Sequence, residues 1–217
     1  MLARVWWALV GLGFRLLYNE LAWTYDWVSW IVSLGDWRDW QRAALPFLDL
    51  PDGGPVLELA YGTGNLQLDL LAAGHAAFGI DRSRQMGRIS QAKLRRAGQP
   101  VRLVQAEAGC LPFPDATFSC VVSTFPTDFI LQASVVSEVM RVLKPGGRLV
   151  VVYNGVLTGG GIVSRLLEWA YRITGQRDGG FPSPQAIFGT QGMRVTQHRV
   201  VLARSEAWLF VAEKLEN

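Results

Sequence analysis

The stretch Val56-Leu57-Glu58-Leu59-Ala60-Tyr61-Gly62-Thr63-Gly64 constrains this chain more than any other. An apolar run ending in an acid leads into a turn with two glycines, and a helical pattern follows. That order is the first strand, turn and helix of a nucleotide-binding α/β sheet. Gly62 and Gly64 carry no Cβ, so the backbone can approach a ligand closely there. The next apolar run ends in Asp81, 19 residues after Gly62. A carboxylate that bonds ribose hydroxyls is expected at roughly 20 residues.

The turn discriminates between nucleotide ligands. A dinucleotide fingerprint needs a third small residue, and counting from Gly62 and Gly64 puts Gln67 there. A phosphate-cradling G-x-x-x-x-G-K-[ST] is absent as well. Glu58 sits near the end of strand one, where a carboxylate would repel a pyrophosphate but attract an ammonium. A ligand with a ribose and an amino-acid ammonium but no phosphate there is S-adenosylmethionine.

Four segments resemble, in order and spacing, the class I S-adenosylmethionine-dependent methyltransferases, specifically the type 11 group that includes quinone methyltransferases. They are 56–64; Phe78-Gly79-Ile80-Asp81 with Ser83 and Met86; Glu107 through Leu111-Pro112-Phe113-Pro114-Asp115 to Phe118; and Val142 through Lys144-Pro145-Gly146-Gly147 to Leu149. The sequence departs from the family pattern at Ala60, usually Gly, at Glu107, usually Asp, and at Ser119, usually Asp. The resemblance implies a Rossmann-like α/β fold: a seven-stranded sheet, order 3-2-1-4-5-7-6, with the last strand pair antiparallel and helices on both faces.

Periodicity supports that fold independently. Apolar runs predict strands at 55–60, 77–81, 101–105, 118–124 and 148–154, with helical patterns at 65–73, 83–97 and 127–143. Asn65 and Ser83 are expected as helix caps, and Gly74 and Gly98 as stops. Alternating strand and helix imply parallel pairing with right-handed crossovers. Two β-rich runs, 193–203 and 207–215, predict a terminal hairpin. Ligands in such sheets bind beyond the carboxyl ends of the strands, where strand order reverses, so Glu58, Asp81 and Thr124 are expected to open onto that crevice.

Two regions lie outside this core, so the division expected is a Trp-rich helical cap over 1–50 and a cofactor-binding domain over 51–217. Within the latter, 155–192 is long for a connection and is expected as a lid, with surface decoration as the plain alternative. Seven of the nine Trp fall at positions 6, 7, 23, 27, 30, 37 and 40. The uncharged run between Arg4 and Arg15 is too short to span a bilayer, and no signal-peptide cleavage site follows it. Residues 1–16 therefore either cover the sheet or dip Trp6, Trp7, Leu9, Val10 and Phe14 into a membrane interface. The expected location is cytoplasmic, with peripheral attachment to the inner membrane face on the second reading. Two cysteines, Cys110 and Cys120, suit a reducing compartment and form no metal-ligand spacing. The net charge of +3 comes from 18 Arg and 3 Lys. The Arg are spread along the chain, which argues against a nucleic-acid partner.

Methyl transfer from a sulfonium needs donor and acceptor held in line, and a base only when the acceptor holds its proton tightly. The resemblance implies a cofactor site built from Glu58, Ala60, Gly62, Gly64, Asp81, Arg82, Met86, Glu107, Ala108 and Thr124. In it Asp81 takes the ribose hydroxyls, Glu58 the methionyl ammonium, and Arg82, Met86, Glu107 and Ala108 surround the adenine. Tyr25, Asp128 and Tyr153 are the residues placed to act on an acceptor, with Phe125 beside them; no base stands out. His75 and His198 are expected to be structural. The activity expected is methyl transfer to a small, lipophilic acceptor. A non-catalytic S-adenosylmethionine-binding module and a nicotinamide oxidoreductase are the alternatives, the latter opposed by Gln67 and Glu58.

Overall fold

In a computed structural model, residues 24–48, 53–159 and 183–215 are described. Seven strands form one sheet in the order β3-β2-β1-β4-β5-β7-β6. They are β1 (Val56–Leu59), β2 (Ala77–Asp81), β3 (Leu103–Gln105), β4 (Phe118–Thr124), β5 (Leu143–Leu157), β6 (Met193–Val201) and β7 (Ser205–Lys214). The first five pair in parallel, and β7 runs antiparallel to both β5 and β6. Helices α1 (Tyr25–Val32) and α2 (Trp37–Arg42) precede the sheet, and α3 (Asn65–Ala72), α4 (Arg84–Arg96) and α5 (Ala133–Val142) make the crossovers. A short α6 (Pro184–Phe188) precedes β6.

The predicted strand positions hold, with differences at the ends. β5 begins at Leu143, which pairs with Phe118 of β4, rather than at 148, and it continues to Leu157 because β7 pairs with it over 148–157. The pattern at 127–143 divides into a 3-10 turn (Asp128–Leu131) and α5, since Gln132 has an extended backbone that interrupts the helix. Ser83 caps α4 as expected, accepting from Met86 N. The cap of α3 is Gly64 rather than Asn65, which is instead the first helical residue. Gly74 and Gly98 both take positive φ after their helices, as stops do.

Two cores flank the sheet. One joins Leu57, Leu59, Ile80, Phe118, Val121 and Val151 to α5 and α6. The other joins Val56, Val122, Val150, Val152 and Leu209 to α3 and to Trp40, Ala43, Ala44 and Leu48. Residues 40–48 thus share a core with the sheet. Trp40 is 1% exposed and its Nε1–H donates to Ser205 Oγ at 2.9 Å. Its ring lies so close to β5 that a Cβ on Gly155 would stand 2.2 Å from it. Arg38 and Arg42 both bond Asp69 of α3, which ties α2 to the first crossover.

Of the stretch 155–192, residues 155–157 complete β5, and 184–191 fold as α6 and a 3-10 turn beside β6. Residues 160–182 of the expected lid and the apolar run 1–16 lie outside the described residues. No described helix is long and apolar enough to cross a membrane.

Candidate active site

The chain reverses its strand order between β1 and β4, and the loops after β1, β2 and β4 meet at that edge. The turn after β1 is built on the left-handed backbones of Ala60 (φ 57°), Gly62 (φ 54°) and Gly64 (φ 79°). Gly64 is required on two counts. Its φ suits glycine, and a Cβ there would lie 2.1 Å from the buried Ser90 Oγ of α4. The methyl of Ala60 does fit, but in a conformation that side chains disfavour. Tyr61 is buried beneath the turn, close against Gly79 and Gly87. Burial, then the charges of Asp81 and Glu58, push its hydroxyl up to about 12, so it stays neutral.

Asp81 ends β2 and holds the turn. Its Oδ2 accepts from Gly62 N at 2.9 Å and its Oδ1 from Ser83 N at 2.7 Å. Burial raises its pKa, and those two N–H donors work against the rise. Each carboxylate oxygen keeps a further lone pair, which suits a vicinal diol approaching from the open side.

Glu58 does not open onto the crevice. It is 1% exposed, and its Oε2 accepts from Gln67 Nε2 at 2.8 Å. A carboxyl sealed in a sheet needs a donor, and the first turn of α3 supplies one. Burial pushes its pKa up to about 8; Gln67 opposes this, and the charge of Asp81 adds to it. Thr124, at the end of β4, is also partly covered, because its Oγ1 accepts from Gln41 Nε2 of α2 at 3.1 Å.

The remaining expected residues fall into three groups. Arg82 and Glu107 are exposed at the loops after β2 and β3, and Ala108 packs against Phe118's core. Met86 is 1% exposed and belongs to the packing of α4. Tyr25 opens α1 with its ring edge-on to Trp37, centroids 6.3 Å apart. Phe125 follows β4 with φ 51° and stacks on Trp37 at 4.3 Å. Asp128 is exposed in its 3-10 turn, whereas Tyr153 is half-buried on β5, where burial raises its pKa. Phe78, Phe113 and Phe118 form an edge-to-face cluster beside β2.

Sequence reasoning missed the hub at Asp26. Its carboxylate accepts from Thr63 Oγ1 (2.6 Å), Asn65 Nδ2 (3.0 Å) and Lys93 Nζ (2.9 Å). Burial alone would raise its pKa; the donors from Thr63, Lys93 and Asn65 hold it below the ordinary value. These contacts fasten α1 to the glycine turn and α4. A periodicity signal cannot reveal contacts between residues 37 to 67 positions apart. Among the described residues no group of His, Cys, Asp and Glu could hold a metal ion.

Comparison with known proteins agrees with this geometry. The family described as a methyltransferase domain matches residues 56–147, which hold the glycine turn, Asp81 and the β4 edge. The demethylmenaquinone methyltransferase of Thermus thermophilus is 32% identical over 192 residues, covering 79% of this chain and 87% of that protein. The chain belongs to the class I S-adenosylmethionine-dependent methyltransferases. A second relative is the ubiquinone/menaquinone biosynthesis C-methyltransferase UbiE of Geobacter sulfurreducens. It is 33% identical over 144 residues, 64% of this chain and 56% of that protein. The chain spans 56% to 62% of the length of several such curated relatives. A solved phosphoethanolamine N-methyltransferase 2 of Haemonchus contortus, bound to phosphomonomethylethanolamine and S-adenosylhomocysteine, superposes with a TM-score of 0.65. Its identity is 16% over 94% of this chain and 59% of that one, a likeness of fold alone. In this class I methyltransferase the sheet order expected from the resemblance is present strand for strand.

Proposed function

We propose that this protein transfers the methyl group of S-adenosylmethionine to a small, lipophilic acceptor of the quinone kind. The observation that carries the cofactor half is Asp81, whose carboxylate is fixed by two backbone N–H groups while facing the glycine turn. The acceptor half is supported by the relatives, which are named for ubiquinone and menaquinone synthesis.

Bound in the crevice, the cofactor supplies an electrophilic methyl on a positively charged sulfur. The chain's residues hold the two reactants in line and keep water out. Asp81 takes the ribose hydroxyls, the turn at Gly62 and Gly64 lets the backbone approach, and Arg82, Glu107 and Ala108 border the adenine. Glu58 stays out of reach of the ligand, and its pairing with Gln67 holds the first turn of α3 against β1 beneath the crevice. Thr124 stands between the methionine part and the acceptor, and Tyr25 closes over both from α1.

The second half of the proposal is that the protein works at a membrane surface. Trp27, Trp30 and Ile31 on α1 are 69%, 59% and 56% exposed, on the helix that Asp26 fastens beside the crevice. Tryptophan prefers the headgroup level of a bilayer, and a lipophilic acceptor would be found there. Co-sedimentation with phospholipid vesicles should fall when those three residues become Ser. Methyl transfer itself is tested with a radiolabelled methyl group, cell extract and extraction into organic solvent. Label in the organic phase is expected; label confined to protein or to the aqueous phase would overturn the acceptor class.

A further inference from the structure

Arginine is spread along this chain, but its acids are not. Between Asp81 and Glu107 lie seven Lys and Arg and no Asp or Glu. The whole chain has a net charge of +3, so the rest of it is acidic by four. The structure gathers the basic segment on α4 and on the edge strand β3, against which α4 packs. Arg82, Arg84, Arg88, Arg95, Arg96 and Arg102 are all exposed, on α4 or the loops beside it. Among the described residues none of these six forms an ion pair, whereas Arg38, Arg42, Arg141, Arg199 and Arg204 all do.

α4 carries this charge against its own stability. Arg84, Arg88 and Arg95 recur at helical spacing, so they share one face along about 16 Å of the helix. The opposite face, with Met86, Ser90 and Leu94, is buried. Like charges four residues apart on a helix repel. Arg84 also stands at the positive end of the helix dipole, and no acid occupies the first turn to offset it. Two local rules are broken with no compensating contact inside the fold, which points to an anionic partner outside it.

A second surface says which anion. Trp27, Trp30 and Ile31 are exposed on α1, and α1 is bonded to α4 where Lys93 Nζ donates to Asp26 at 2.9 Å. Arg96, three residues after Lys93, lies on that flank of α4. Exposed tryptophans beside an arginine-rich helix match a bilayer, whose headgroup level takes the rings and whose phosphates take the cations. A nucleic-acid duplex would engage the arginines and leave the three apolar side chains in water.

We propose that the arginine face of α4 is a docking surface for the anionic headgroups of a phospholipid bilayer, and that with α1 it holds the protein on an acidic membrane. This rests on the membrane reading above and adds to it the class of lipid and the helix that recognises it.

The test is co-sedimentation of the full chain with two kinds of vesicle, phosphatidylcholine alone and phosphatidylcholine with about a third replaced by phosphatidylglycerol. Binding should be about a hundredfold tighter to the acidic vesicles, at about fivefold per arginine, and the gain should shrink with added salt. The combined Arg84→Gln, Arg88→Gln, Arg95→Gln variant should lose most of that gain and bind phosphatidylcholine alone as the parent chain does. Its unfolding midpoint should not fall, because repulsion along α4 is relieved. Equal binding to both vesicles, a gain that the triple variant keeps, or tighter binding to duplex DNA than to acidic vesicles at the same salt would each overturn the docking surface. The aromatic patch is judged separately, by Trp27→Ser, Trp30→Ser, Ile31→Ser, which should weaken both vesicles alike. Unchanged binding by that variant sinks the reading of α1 and leaves the arginine face standing, whereas equal binding to the two vesicles by the parent chain sinks only this proposal.

Discussion

Gln67 donates its side-chain N–H to the buried carboxyl of Glu58, and the same nitrogen reaches Phe78 O at 3.0 Å. The residue that spoils a dinucleotide fingerprint is therefore the one that makes an acid tolerable inside β1. The pair has a pH consequence. Glu58 has its folded pKa raised to about 8, mainly by burial, so the folded state binds the proton more tightly than the unfolded chain. Its contribution to stability is complete below about pH 4, the unfolded carboxyl range, and is lost as pH rises through about 8. Urea midpoints measured from about pH 5 to 9 should fall, and Glu58→Gln should flatten that part of the slope.

Cofactor binding should leave that proton in place. Glu58 is sealed against Gln67 and does not open onto the crevice, so binding S-adenosylhomocysteine should not change its ionisation. Calorimetry in buffers of different ionisation enthalpy checks this, and Glu58→Gln should give the same proton count as the parent chain.

Asp81→Ala should weaken S-adenosylhomocysteine by about 1.5–3 kcal/mol, the worth of hydrogen bonds to a charged acceptor. The variant also leaves Gly62 N and Ser83 N without their partner. Thermal unfolding of the free protein should therefore fall as well, and unchanged affinity in calorimetry would contradict the ribose assignment.

Asp26→Ala removes the acceptor shared by Thr63, Asn65 and Lys93. The Asp26 side chain is 41% exposed, so solvent screens the pair with Lys93 and the stability loss should be small, about 1 kcal/mol. Cofactor affinity is expected to suffer more than stability does, because two of the three donors lie in the glycine turn and the start of α3. Urea denaturation and calorimetry on the same variant separate the two effects.

Gly155→Ala would put a methyl into the ring of Trp40. Overpacking of this kind costs about 1–3 kcal/mol. Because Trp40 packs in one core with β4 and β5, the loss should appear as a lower unfolding midpoint. The companion Trp40→Phe, Gly155→Ala double variant should recover part of it.

The parallel half of the sheet was legible in the sequence because its strands are short, mostly apolar runs separated by helical patterns, and β2 and β4 fall at the predicted positions. The glycine turn and Asp81 were legible for a similar reason: a positive-φ turn and a carboxylate at a fixed separation leave a local signature. Ends were less legible. β5 is 15 residues long because its start pairs with Phe118 of β4 and its last ten residues pair with β7, a partner about fifty residues further along. The break at Gln132 has no local signal comparable to a proline or glycine.

What the chain determined by itself is the fold and the kind of cofactor, since alternation, turn glycines and an acid at the end of a strand act over short distances. What only the tertiary structure decided is which side chains meet. It turned Glu58 inward to Gln67, drew Asp26 onto the glycine turn, and set Trp37 and Gln41 against the end of β4. The physical reason is that a buried polar group is satisfied by whatever packing brings near it. Packing joins residues far apart in the chain, so no window of sequence contains both partners.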